Sequence, residues 1–202
     1  MDFISKELSD YVASHTASET PVLRKVNRET NAKVLMPRML SGQIQGRFLS
    51  MISNMIQPKR ILEIGTYTGY SSICLAEGLG KDGLLYTIDI NEELEGMVKA
   101  FIQEAGMENR ITQIIGNALD VLPSLNESFD LVFIDADKIN YLQYYQLIID
   151  KVRKGGYIIA DNVLWSGKVL VPGKTDKDTT AIMAFNDFVH QDTRVENLLL
   201  PF

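Results

Sequence analysis

The chain has 202 residues, a formal net charge of −6, 46% hydrophobic and 23% charged residues, and one cysteine. That length suits a single α/β domain; no apolar run approaches the ~20 residues that span a bilayer, and Met1 to His15 carries scattered charges with no signal-peptide core, so a cytoplasmic protein without a membrane partner is expected. The acidic balance weighs against general nucleic-acid binding, and the lone Cys74, on an apolar helix face, excludes an internal disulfide framework and is expected to be buried and inert.

Three helical patterns come first: Phe3 to Ser14; Pro21 to Leu35, with Thr20 as N-cap and Pro21 in the first helical position; and Ser41 to Ile56. In the third, Ile44, Phe48, Met51, Ile52 and Met55 fall at three- and four-residue spacings, an apolar face expected to pack on the sheet that follows. These helices read as an amino-terminal cap, residues 1–57, on a core of residues 58–202, the whole chain 1–202 forming one domain. Arg24, Lys25, Arg28, Lys33 and Arg38 read as a solvated helix face, with a basic patch for RNA as the competing reading.

From Arg60 onward, β-rich runs alternate with helical ones: Arg60 to Ile64, Leu84 to Asp89, Ile111 to Ile115, Leu131 to Asp135, Gly156 to Asp161 and Arg194 to Leu200. Runs such as Leu131 to Ile134 and Tyr157 to Ala160 are apolar at consecutive positions, as parallel strands covered on both faces require. The expected fold is α/β, a doubly wound Rossmann-like sheet flanked by helices behind an amino-terminal helical cap. Leu164 to Asp178, with Gly167, Pro172, Gly173 and Lys174, reads as a mobile surface loop.

In such sheets ligands bind beyond the carboxyl ends of the strands, and the unusual residues collect there. The first strand ends in Glu63-Ile-Gly65-Thr-Tyr67-Thr-Gly69, where the two glycines allow a tight turn and close approach of a nucleoside to the backbone. Tyr67 stands where a dinucleotide motif needs its second glycine, which disfavours a nicotinamide cofactor. Asp89 closes the second strand about 20 residues beyond the turn, where an acidic residue can accept hydrogen bonds from ribose hydroxyls. Asp135, Asp161 and Asn162 offer hard oxygen ligands from two strand ends expected to be neighbours, a set suited to a magnesium-like or calcium-like ion; singly, either aspartate could be a helix cap.

The segments Glu63-Ile-Gly-Thr-Tyr-Thr-Gly-Tyr-Ser71, Phe133-Ile-Asp-Ala-Asp-Lys138 and Asp161-Asn-Val-Leu-Trp-Ser-Gly167 resemble the signatures of the caffeoyl-CoA and catechol O-methyltransferase family, and the resemblance runs through the helical cap, including Gln45-Gly46-Arg47-Phe48-Leu49. It implies an S-adenosylmethionine donor surrounded by Met39, Glu63, Gly65, Tyr67, Ser71, Asp89, Ala118 and Asp135. It also implies a divalent cation, Mg²⁺ before Ca²⁺ or Mn²⁺, held by Asp135, Asp161 and Asn162. Lys138 would be the general base, sharing the reacting centre with Asp135, and the protein would be a homodimer acting on a small phenol. Two departures stand out. Gly116-Asn117-Ala118 replaces the Gly-Asp-Ala of many relatives, so an adenine amine would meet the Asn117 carbonyl. Relatives also continue past the equivalent of Pro201 into a final antiparallel strand inserted between strands five and six, whereas this chain stops at Phe202: either the sequence is truncated or the expected strand Arg194 to Leu200 lacks its usual neighbour, leaving edge hydrogen bonds unpaired.

A free phenol, with a pKa near ~10, is mostly protonated at neutral pH. A divalent cation would favour the oxyanion, Lys138 would take the proton if nearby positive charge lowers its own pKa, and chelation by two adjacent oxygens would fix which one faces the methyl group. Trp165 would cover a flat acceptor ring or else be buried in the core. The rival readings are a transfer-RNA hydroxyuridine O-methyltransferase using the basic helix, an NAD-dependent oxidoreductase, which Tyr67 disfavours, and a silent donor-binding protein, which the intact Asp135, Lys138, Asp161 and Asn162 set disfavours.

Overall fold

The computed structural model describes residues 5–170 and 176–201; Phe3 of the expected first helix, and Pro172, Gly173 and Lys174 of the expected loop, lie outside them. Three helices precede the sheet: α1 (Lys6–Ser14), α2 (Pro21–Lys33) and α3 (Gly42–Ile56). Each of the first two begins on a hydroxyl cap, Ser5 accepting from the Leu8 N–H and Thr20 from the Leu23 N–H, with Pro21 in the first turn where its missing N–H costs nothing. Helix α2 ends at Lys33 because Val34 is already extended, and a 3₁₀ turn over Pro37–Met39 carries the chain to α3.

The sheet has five strands among the described residues: β1 (Arg60–Ile64), β2 (Leu84–Asp89), β3 (Ile111–Ile115), β4 (Phe129–Ile134) and β5 (Val152–Ala160). All pairings are parallel, in the order β3-β2-β1-β4-β5. Helices α4 (Tyr70–Ala76), α5 (Glu95–Glu104), α6 (Ala118–Ser124), α7 (Tyr141–Ile148) and α8 (Lys177–Gln191) complete the α/β alternation. Successive residues of one strand serve opposite cores. Ile61, Leu131 and Phe133 join Leu23, Leu49, Ile73 and Phe101 on the face covered by α2 to α5. Leu62, Ile64, Val132 and Ile134 join Leu122, Tyr145, Ile148 and Ile182 on the face covered by α6 to α8. Each such side chain, fully buried, stabilises the fold by about 1.5–3 kcal/mol, which is why the strands read as unbroken apolar runs. No helix of the described residues is long and apolar enough to cross a membrane.

Two expectations are corrected. Arg194 to Leu200 forms no strand, and Leu198 is 79% exposed. A strand is stabilised by cross-strand pairs and a covered face, and these leucines find no ladder in the described residues. Helix α3 buries only part of the apolar stripe expected of it: Ile44, Met51 and Met55 are exposed and Phe48 and Ile52 half-buried, whereas Gly46, Leu49, Ser50 and Ser53 are buried. Close approach decided this face. A β-carbon on Gly46 would sit 2.6 Å from the Tyr70 ring of α4, and one on Gly78 would sit 2.2 Å from the Ser53 backbone, so small residues let α3 lie against α4.

Candidate active site

The hydrogen-bond ladder continues one residue past the strands at their carboxyl edge. The N–H groups of Gly65, Gly116, Asp135 and Asp161 donate to the carbonyls of Ile88, Asp89, Ile64 and Ile134 at 2.8–2.9 Å. The residues expected to carry chemistry are thereby set in one row. Strand order reverses between β1 and β4, the point where open α/β sheets bind ligands. Gly65 (φ +103°) follows β1 there, and a β-carbon on it would lie 1.9 Å from the Asp135 carbonyl oxygen, so both backbone angle and space demand glycine.

On the β1–β2 side, Tyr67 adopts a left-handed φ of +47°. Its N–H donates to Asp89 Oδ2 at 2.7 Å, and the Asn91 N–H donates to Asp89 Oδ1 at 2.9 Å. Each oxygen keeps a further lone pair for a ribose hydroxyl. The Tyr67 hydroxyl reaches the carbonyls of Leu35 and Met36 at 3.1 and 3.2 Å, and Thr30 of α2 donates to Thr68 at 3.0 Å, which ties the glycine turn to the cap. Met39 lies on that tethered segment, 58% exposed.

Glu63 is fully buried, with Ser72 donating to Oε2 and no partner on Oε1 among the described residues. Burial pushes its carboxyl up to about 7; hydrogen bonds from Ser71, Ser72 and Thr87 pull the other way, and the charge of Asp135 adds to the rise. Ser71 is buried in α4, and Ala118 is buried as the first residue of α6. Asn117, expected to offer its carbonyl to an adenine, accepts from the Leu119 N–H at 3.0 Å and so caps α6.

On the β4–β5 side, Lys138 is buried and its Nζ donates to Asp135 Oδ1 at 2.9 Å and to the Tyr141 hydroxyl at 2.5 Å. The Tyr141 hydroxyl in turn lies 3.1 Å from the Asp161 carbonyl and 3.3 Å from that of Ile134. Asp161 Oδ1 accepts from the Asn162 N–H at 2.7 Å, and Oδ2 accepts from Gln45 Nε2 of α3 at 2.9 Å. Burial, and then the charge of Asp135, hold the Asp161 carboxyl above the usual range. Asn162 is exposed with a left-handed φ of +59°, a conformation asparagine tolerates well. Among the described residues no three acidic, histidine or cysteine side chains converge; the cluster is two carboxylates beside an amide. Trp165 packs against the core on the α6–α8 face, its indole N–H buried without a partner among the described residues, and Lys138 Nζ stands 6.0 Å from its ring.

The expected residues thus divide into a turn-centred group and a carboxylate group that meet at Gly65 and Asp135. Sequence reading missed Gln45 and Tyr141. Tyr141 lies three residues beyond Lys138, a spacing that puts both on one helical face and could have signalled the contact; Gln45 stood in the family-like segment Gln45 to Leu49 with no role attached to it. Elsewhere, Cys74 is buried and its thiol is pushed up to about 12, as its apolar setting required. Two of the five basic residues read as one face are paired with carboxylates, Lys25 with Glu104, and Lys33 with Glu29 at 2.8 Å, and Arg24 donates to the Glu19 carbonyl at 2.7 Å.

Residues 13–202 match the O-methyltransferase family. The chain belongs to that family. It is an O-methyltransferase, of the class that takes its methyl group from S-adenosylmethionine. It is 36% identical to a catechol O-methyltransferase of Niastella koreensis, over 84% of this chain and 78% of the relative. It is 37% identical to caffeoyl-CoA O-methyltransferase 2 of Petunia hybrida, over 90% of this chain and 80% of the relative. Among solved structures, an O-methyltransferase of Streptomyces achromogenes involved in tomaymycin synthesis, in complex with S-adenosylmethionine, superposes with a TM-score of 0.87 at 31% identity, over 93% of this chain and 85% of that one. An O-methyltransferase of Bacillus cereus in complex with S-adenosylhomocysteine gives the same TM-score and identity, over 93% and 86%.

Proposed function

We propose that this O-methyltransferase transfers the methyl group of S-adenosylmethionine to one of two vicinal hydroxyls on a catechol-like or caffeoyl-CoA-like acceptor, chelated by a divalent cation. The observation that carries the reading is the pair Asp135 and Asp161 on adjacent strand ends, where burial and the charge of Asp135 raise the cost of charging Asp161. A cation would relieve that repulsion, and two carboxylates with the exposed amide of Asn162 make a hard oxygen set suited to Mg²⁺, or to Mn²⁺ or Ca²⁺. When bound, the cation would polarise the acceptor hydroxyl and favour its deprotonated form.

The chain's own groups supply the rest. Asp89 accepts hydrogen bonds from the donor's ribose, and the Gly65 to Gly69 turn lets the donor approach the backbone, with Glu63, Ser71, Met39 and Ala118 around it. Lys138, once it has released its own proton to solvent, receives the hydroxyl proton as the neutral amine at Nζ, a position set by Asp135 and by the Tyr141 hydroxyl, which is itself fixed to backbone carbonyls. The acceptor oxygen then attacks the methyl carbon, the carbon–sulfur bond breaks, and S-adenosylhomocysteine leaves. Holding acceptor and sulfonium in line removes much of the entropic barrier.

A panel of acceptors with labelled methyl donor and Mg²⁺ tests this. Catechols and caffeoyl thioesters should be methylated, their analogues with one hydroxyl blocked should react poorly, and hydroxyuridine RNA should not react. Methylation of the RNA alone would replace this reading with the transfer-RNA one.

A further inference from the structure

We infer that Gln45 is a positioning residue for Asp161, so that the helical cap as well as the sheet sets the affinity of the cation site. This rests on the proposed reading of Asp161 as a cation ligand. The carboxylate is fixed by two neutral donors, the Asn162 N–H on Oδ1 at 2.7 Å and the Gln45 side-chain amide on Oδ2 at 2.9 Å. The Tyr141 hydroxyl holds the same residue by its main-chain oxygen at 3.1 Å.

The chemistry of the donor matters. Lys138 Nζ lies 2.9 Å from Asp135 Oδ1, and in its ammonium form it offsets part of the negative charge a cation would use. An amide orients Asp161 and leaves its negative charge intact, as groups behind a metal-binding carboxylate commonly do. The amide is also held in place. Gly46, the next residue, is packed so closely that a β-carbon there would lie 2.6 Å from Tyr70 and 2.8 Å from Cys74 Sγ, so the backbone carrying Gln45 has little room to move. Residues 116 positions apart in the sequence are therefore joined across the cap–sheet boundary at the carboxylate itself.

Mn²⁺ binding, followed by electron paramagnetic resonance without donor or acceptor, tests the inference on wild type, Gln45→Met and Gln45→Asn. Met keeps the length and loses the donor; Asn keeps the donor and withdraws it by one methylene. Both variants should bind Mn²⁺ roughly 10- to 100-fold more weakly, the usual cost of losing a group behind a metal ligand. Their metal-free melting temperatures and S-adenosylhomocysteine affinities should match wild type. Variants that fold and bind Mn²⁺ as tightly as wild type, or more tightly, overturn the role given to Gln45 while leaving the cation site standing. A wild-type protein that takes up no Mn²⁺ overturns the cation reading and this inference with it.

Discussion

Gly65 and Asp135 share a wall: the carbonyl oxygen of Asp135 occupies the space where a side chain on Gly65 would begin, 1.9 Å from its β-carbon position. The turn that faces the donor and the loop that carries the first carboxylate are therefore one packed unit at the β1–β4 switch point. Gly65→Ala should cost about 2 kcal/mol or more through the strained backbone and clash, and should also displace Asp135. Urea denaturation and donor calorimetry check both; an alanine variant as stable as wild type would mean the contact relaxes freely.

Asp89 already holds the Tyr67 and Asn91 N–H groups, so it shapes the turn in addition to the ribose contact proposed for it. Asp89→Ala should weaken donor binding by about 1.5–3 kcal/mol, the range for hydrogen bonds to a charged group. Calorimetry with S-adenosylhomocysteine reads this directly. Unchanged affinity would make Asp89 a turn cap and place the nucleoside elsewhere.

For Lys138, replacement by alanine should lower turnover by roughly 100-fold or more and leave donor affinity alone, as loss of a general base does. Higher pH should restore part of the rate. Wild-type turnover across the pH range would remove Lys138 from the chemistry.

The buried Glu63 gives a pH signature in the donor-free, metal-free protein. Its carboxyl is raised from 4.5 to about 7, so the folded state holds the proton more tightly than the unfolded chain. Stability from this group is fully present below pH 4.5 and is lost as pH rises through 7. Glu63→Gln abolishes that dependence and should be the more stable protein at pH 8 by roughly 3 kcal/mol, with little difference at pH 4.5. A difference that stays constant from pH 4.5 to 8 would show that Glu63 does not titrate in this window.

Much of this site could be read from the sequence because a parallel sheet puts every strand's carboxyl end on one edge. Once Leu131 to Ile134 and its fellows are recognised as strands, Gly65, Asp89, Asp135 and Asp161 must share that edge. What stayed hidden depends on partners far away in the chain. Apolar spacing in α3 pointed to Met51 and Met55, but the buried face was chosen by Gly46, Ser50 and Ser53, where absence of bulk is the signal. Leucines at 198–200 looked strand-like, yet among the described residues they pair with neither open edge of the sheet, β5 or β3. Asn117 was read for its amide and serves its own helix first.

The most direct test of the central claim is methyl transfer to a catechol in excess chelator, with donor affinity measured in the same samples. Turnover should vanish while S-adenosylhomocysteine affinity stays the same, because the proposed donor contacts lie chiefly on the β1–β2 side and the carboxylates on the β4–β5 side; Mg²⁺ should restore the rate, and Asp161→Ala should behave like the chelated enzyme. Full activity in chelator, with monohydroxyl acceptors reacting as well as catechols, would contradict the claim that Asp135, Asp161 and Asn162 hold a catalytic cation.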